Sequence, residues 1–315
     1  MINNSAIDVA TGLFFIYALY SLLTTTLTEL IASFINQRGL VLKMGIERML
    51  DNDKPKDSEV KLSSVFFEKP EIKYLKAKTL GFTRFPSYLK PNTFVSTLLD
   101  TLGFVNPEST DLTSVRKSLD PTNETHKILI NLIDRANNNV DQFKILAEEW
   151  FNETMDRVSG WYKRYNQVIT FFVGALLAFS LNINSIEIAK ILSNDKDTRI
   201  AMVEATSNYM ASLQETSDSL VDKKSLEELN QEVKLLIQET KKVNSLMSLP
   251  YPWLKSNENK VSWLSYIFGC LITTIALSLG SPFWFDLLSK IIKLRSSGNQ
   301  EKTTKTNPPQ KSPAS

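Results

Sequence analysis

Histidine occurs once in this chain, as His126, and cysteine once, as Cys270. One imidazole leaves a single candidate for a His-dependent triad and excludes a multi-histidine metal site. One thiol excludes a disulfide within the chain and a cysteine-rich zinc site. His126 lies in PTNETHKILI, near Asp120 and Glu124, with no nucleophile indicated for it to activate, and reads as an ordinary surface side chain. GxSxG, Walker A, HExxH and the Rossmann glycine fingerprint are all missing from the sequence. No catalytic residue, cofactor or metal ligand is expected, and the chain reads as non-enzymatic. Glu29 is the intramembrane charge, interrupting a long apolar run, and such residues are often functional. One carboxylate is too little for a proton relay. It is expected to snorkel to the headgroups or to pair with Arg38 or a basic group of another span.

The elements that hold these residues follow from the apolar pattern. The chain has 315 residues, a net charge of +2 and 43% hydrophobic residues. That is an ordinary soluble composition, but the apolar residues gather in three stretches. Val9 to Thr28, Tyr165 to Ile186 and Val261 to Phe285 each reach the roughly 20 residues a helix needs to cross the hydrocarbon core. No Lys or Arg precedes Arg38, so the first stretch lacks the basic n-region of a signal peptide and reads as a retained span. Arg38, Lys43 and Arg48 follow the first span, Arg157, Lys163 and Arg164 precede the second, and Lys290, Lys293 and Arg295 follow the third. The opposite ends carry only Lys190, Lys255 and Lys260. The positive-inside rule then puts the N-terminus outside and the C-terminus in the cytoplasm. Trp161 and Trp284 are expected at the inner interface, Trp253 and Trp263 at the outer one.

The expected architecture is mainly α: an N-out transmembrane helix 1 over 1–36, a cytoplasmic helical domain over 37–164, and transmembrane helix 2 over 165–186. A periplasmic helical hairpin over 187–260, transmembrane helix 3 over 261–285 and a basic amphipathic segment with a disordered tail over 286–315 complete it. Within the cytoplasmic domain, the first helix is expected to run on through GLVLKMGIERML, Asn92 to cap a helix closed by Gly103, and a second helix to run from Glu124 to Ala136. From Val140 onward, apolar and aromatic residues recur at helical spacing into the second span. IEIAKIL is expected to continue that span. The outer loop has twelve acidic and ten basic residues. Its stripe of Leu226, Leu229, Val233, Leu236 and Ile237 needs a partner, in the other arm of the hairpin or in a second subunit.

Small residues mark helix-packing positions: Ala18, Ser21, Thr25 and Thr28 on the first span, Gly174 and Ala178 on the second, and Gly269, Thr273, Ala276 and Gly280 on the third. Such stripes let helices approach and share hydrogen bonds, within one chain or in a homo-oligomer. From Lys61 to Lys90, seven basic residues stand against two acidic ones among aromatics. That pattern suits nucleic acid, but beside an inner leaflet anionic lipid or solvent is the better match.

Three passages resemble a widespread family of uncharacterised bacterial three-pass inner-membrane proteins. They are KPEIKYL…FPSYLKPNTFVSTLLD, WFNETMDRVSGWYKRYNQVITFFVGALLAFSLNI and LGSPFWFDLLSKIIKLR. The WYKR run enters span 2 and the PFWFD run leaves span 3. The resemblance implies an inner-face surface of Met155, Asp156, Arg157, Trp161, Tyr162, Lys163 and Arg164 with Pro282 to Asp286, Trp284 among them. Asp286 is then expected to pair with Arg157 or Arg164. It brings no activity with it. Where the family often has a His before the Pro matching Pro70, this chain has Lys69. The resulting expectation is a bacterial inner-membrane anchor or scaffold that meets the lipid bilayer and binds a protein partner through its cytoplasmic domain. The rival is a homo-oligomeric channel or membrane-permeabilising effector, although the spans show no obvious polar face for a pore.

Overall fold

The structure, a computed structural model, describes residues 4–51, 61–79, 82–104, 111–215, 226–247 and 263–303. Trp253, Lys255, Lys260, the prolines at 250 and 252, the charged run 52–60 and the tail from 304 lie outside the described residues. The described chain is mainly helical and divides into two compact units, Ala32–Asn166 and Met1–Ile31 with Gln167–Ser315.

At the start of the Ala32–Asn166 unit, α1 (Asn4–Phe34) does not continue through GLVLKMGIERML as expected; the chain breaks at Asn36, which takes a left-handed φ of 53°, before α2 (Gln37–Leu50). Asparagine tolerates that conformation, and its amide is held by the Phe85 carbonyl at 3.0 Å. A Cβ at Gly39 would collide with both groups, so glycine is what lets the chain close here. Then come α3 (Leu62–Glu68), α4 (Pro70–Lys73) and a two-stranded antiparallel hairpin, β1 (Ala77–Thr79) with β2 (Phe82–Arg84), which the sequence pattern did not indicate.

α5 (Pro91–Thr101) begins on a proline, whose missing N–H is no loss at a first turn; Asn92 therefore lies inside the helix rather than capping it. Gly103, at φ 81°, closes it as expected, with Phe104 N–H donating to Leu99 O at 3.0 Å. α6 (Thr113–Ser118) and α7 (Glu124–Arg135) follow, α7 capped by Asn123, whose Oδ1 accepts from His126 N–H at 3.1 Å. The core gathers on Phe94. Its ring is fully buried, stacked on Phe151 at 4.6 Å and tilted against Phe66 at 5.4 Å.

α8 (Val140–Ser180) is one helix of 41 residues, continuous as the aromatic spacing predicts. It stops short of the expected Ile186. Asn182 turns left-handed at φ 56°, and α9 (Ser185–Asn194) leaves at 52°, so IEIAKIL forms its own helix. Asn184 explains the restart, because its side chain accepts from the N–H groups of Ile186 and Glu187.

α10 (Lys196–Glu215) and α11 (Leu226–Met247) pair as the two arms of a hairpin. α11 buries Leu229, Leu236, Thr240, Val243 and Met247 at steps of seven, four, three and four residues, while Leu226 and Ile237, expected on that stripe, are exposed. The third apolar stretch is broken as well. α12 (Trp263–Ser278) ends at Gly280, whose φ of 86° suits glycine, and α13 (Ser281–Thr303) departs at 95°. α13 extends through eight residues of the stretch expected to be disordered.

By length and composition, α1 alone is long and apolar enough to cross a membrane among the described residues. The number rises to three if each bent pair, α8 with α9 and α12 with α13, forms one span.

Candidate functional site

A chain of buried hydroxyls joins three helices of the 1–31/167–315 unit. Tyr17 OH donates to Ser185 Oγ at 2.7 Å, and Thr273 OH donates to the Ile183 carbonyl at 2.6 Å. Ser185 Oγ and Thr273 Oγ1 lie 2.7 Å apart; since the Thr273 proton goes to Ile183, Ser185 is the donor there. Ser185 N–H also reaches Thr273 Oγ1, at 3.2 Å. The run carries no His, Lys or carboxylate to make any of these oxygens a nucleophile. It satisfies the carbonyl and amide that the break between α8 and α9 would otherwise leave orphaned. Its chemistry is adhesion.

The helix-packing residues sort around that junction. Thr273 and Ala276 are buried, and a Cβ at Gly269 would strike the Asn184 amide that caps α9. A Cβ at Gly174 would lie 3.4 Å from Leu277 Cβ and 3.7 Å from Thr24. Ala178 is fully buried with Cys270 and Tyr266. Gly280 serves the backbone turn instead of a contact stripe. On α1, Ala18, Ser21 and Thr28 are buried and Thr25 partly so, but the hydroxyls bond back to their own helix. Thr28, for example, donates to Thr24 O at 2.8 Å. They permit close approach without the shared bonds expected of them.

Trp284 was expected at an interface and is buried instead. Its Nε1–H donates to Ala276 O at 2.7 Å, and its ring lies against Tyr17 (4.7 Å) and Phe14 (5.3 Å). The 95° bend returns the indole to α1. Asp286 pairs with Lys290 at 2.7 Å, one turn along the same helix. Glu29 is exposed on α1.

The other inner-face residues meet within the 32–166 unit. Arg38 lies over the Tyr162 ring at 5.6 Å with Nε 3.3 Å from its hydroxyl, and Arg48 lies over the Trp161 ring at 5.3 Å. Lys163 and Arg164 are exposed. Arg48, Arg157, Trp161, Trp150 and Ile128 line a cleft of about 360 Å³ that also includes Asp51 and Glu124. A second cleft, of about 400 Å³, shares Ile128 and Trp150 and continues along Lys127, Arg135 and Glu149. Together they form an apolar floor with a mixed-charge rim, suited to a side-chain anchor and hydrogen-bonding edges. The WYKR run signalled one wall of this site in the sequence. The α7 wall, with Ile128 43% exposed, was not anticipated.

His126 has a local structural job, since its Nδ1 accepts from Asp120 N–H at 3.1 Å. Lys69 pairs with Asp100 at 2.7 Å and fastens the α3–α4 corner to the end of α5. On the same unit, hydrogen bonds from Arg116 hold the Asp134 carboxyl below its ordinary range. Among the described residues no group of three or more His, Cys, Asp or Glu could hold a metal ion.

No protein-family model, no curated protein and no solved structure matches the chain.

Proposed function

We propose that this is a non-enzymatic anchor or scaffold of the bacterial inner membrane, of the three-pass kind its sequence resembles. It crosses the bilayer three times, N-terminus outside, and binds a protein partner through the 32–166 unit in the cytoplasm. One observation carries the reading. α8 is a single helix that contributes Trp150, Arg157 and Trp161 to the cleft and, beyond Lys163 and Arg164, exposes Val168, Phe171, Phe172, Leu176 and Phe179 with no charge among them. α12 exposes Leu264, Phe268, Leu271, Ile272 and Ile275 in the same way. Contiguous apolar surface of this extent marks a lipid or partner interface. The folded 32–166 unit has its own aromatic core and a cleft lined by exposed Ile128 with half-buried Trp150 and Trp161, tryptophan being a common anchor of protein interfaces.

A pull-down from native membranes in mild detergent tests the function. The intact chain retains one stoichiometric partner, and Ile128→Glu, on the cleft floor, loses at least about tenfold of it while keeping its thermal midpoint. A homo-oligomer with no partner, or a partner that Ile128→Glu leaves in place, contradicts the scaffold reading.

A further inference from the structure

The outer-loop hairpin lies against α1 and is more than a solvent-facing appendage. A Cβ on Gly12 would sit 2.9 Å from Met202 Cγ, the Phe15 and Tyr209 rings meet at a tilt with centroids 5.6 Å apart, and Tyr20 OH donates to the Thr240 carbonyl at 3.4 Å. Tyr20 stands twelve residues after Asp8 and nine before Glu29, about 18 Å and 13 Å along a helix rising 1.5 Å per residue. It therefore marks the middle of the charge-free stretch, and Thr240 lies beside it. Within two turns of Thr240, α11 exposes Lys234, Gln238, Lys241 and Lys242, and Lys242 is paired with Glu239 at 2.7 Å. If α1 spans the bilayer, these groups lie at hydrocarbon depth, where lipid cannot solvate them. Leu235 and Ile237 are exposed between these groups, so this side of α11 is mixed, whereas α8 and α12 expose apolar runs with no charge among them.

We propose that the charged side of the α10–α11 hairpin borders water at bilayer depth, in a cleft closed by the α10 side of a neighbouring copy of this chain. The inference rests on the reading of α1 as a span. Copies in one bilayer share an orientation, so a two-fold contact through α11 would oppose lysine to lysine. A head-to-tail ring instead sets the exposed Asp197 and Glu204 of one α10 beside the exposed Lys234 and Lys241 of the next α11. The hairpin thus supplies the polar face that the apolar stretches themselves lack.

The test uses the full chain in a Cys270→Ala background, in native membranes. Gly12→Cys with Met202→Cys locks the hairpin to α1 as a disulfide. In the locked protein, a membrane-impermeant maleimide labels Lys241→Cys about tenfold or more faster than Ile272→Cys on the lipid side. Membranes co-expressing a Glu204→Cys chain and a Lys241→Cys chain give a dimer with a short bis-maleimide, and neither chain alone does. Failure of the lock to form, an unlabelled Lys241→Cys, or labelling without the mixed dimer overturns the inference. Where Gly12→Cys prevents folding, a fluorophore attached through Lys241→Cys replaces the lock. Quenching by aqueous iodide is expected, and quenching by a nitroxide lipid overturns the proposal. Release of the protein by alkaline carbonate overturns both this inference and the spanning reading; retention with an unlabelled Lys241→Cys overturns the inference alone.

Discussion

Thr273→Val lowers the stability of the 1–31/167–315 unit by about 3–5 kcal/mol, the sum expected when several buried polar groups lose a common partner at roughly 1–3 kcal/mol each. Valine keeps the shape of threonine and removes only the oxygen, leaving the Ile183 carbonyl, the Ser185 amide and the Ser185 hydroxyl each short of a bond. Thr273→Ser retains that oxygen and costs about 1 kcal/mol, for one buried methyl. Tyr17→Phe removes only the outer link of the chain and costs about 1 kcal/mol. Thermal unfolding in detergent gives the ranking. Equal losses for the valine and serine variants would mean that packing, not the hydroxyl chain, holds α9 to α12.

Phe94→Ala is the matching experiment in the 32–166 unit. The ring is fully buried between Phe66 and Phe151, so its removal deletes an aromatic stack and leaves a cavity, together worth about 3–5 kcal/mol. That is a large share of the stability of a unit this size, and residues 32–166 should become sensitive to limited proteolysis under conditions in which the parent chain resists. Partner capture is lost with the fold. Protease resistance equal to the parent would show that the aromatic cluster is not the centre of this unit.

The sequence made some of this visible and hid the rest for physical reasons. Amphipathic spacing from Val140 located the long helix, and Gly103 marked the end of α5, because both signals are local. The breaks at Asn36, Asn182 and Gly280 were missed because an apolar run has the same hydropathy whether its helix is straight or bent. At Asn36 the left-handed turn is held by a group 49 residues along the chain, the Phe85 carbonyl, which no local pattern signals. The α11 stripe pairs with the other arm of the hairpin, one of the two partners expected for it, but its approach to α1 was not legible. Spacing shows that a face needs cover; it does not show that Tyr20 of α1 also reaches the Thr240 carbonyl. The same limit applies to the cleft. The aromatic and basic run 157–164 was legible as an unusual surface, but Ile128 and Trp150 become neighbours only when α7 folds back on α8.

Sidedness is the claim on which the anchor reading stands. Single cysteines at exposed Gln142 in the 32–166 unit and exposed Asn194 at the end of α9, each in a Cys270→Ala background, report it in intact spheroplasts. An impermeant maleimide is expected to label Asn194→Cys at once and Gln142→Cys only after lysis. Labelling of Gln142→Cys in intact spheroplasts would put the 32–166 unit outside the cytoplasm and contradict the account.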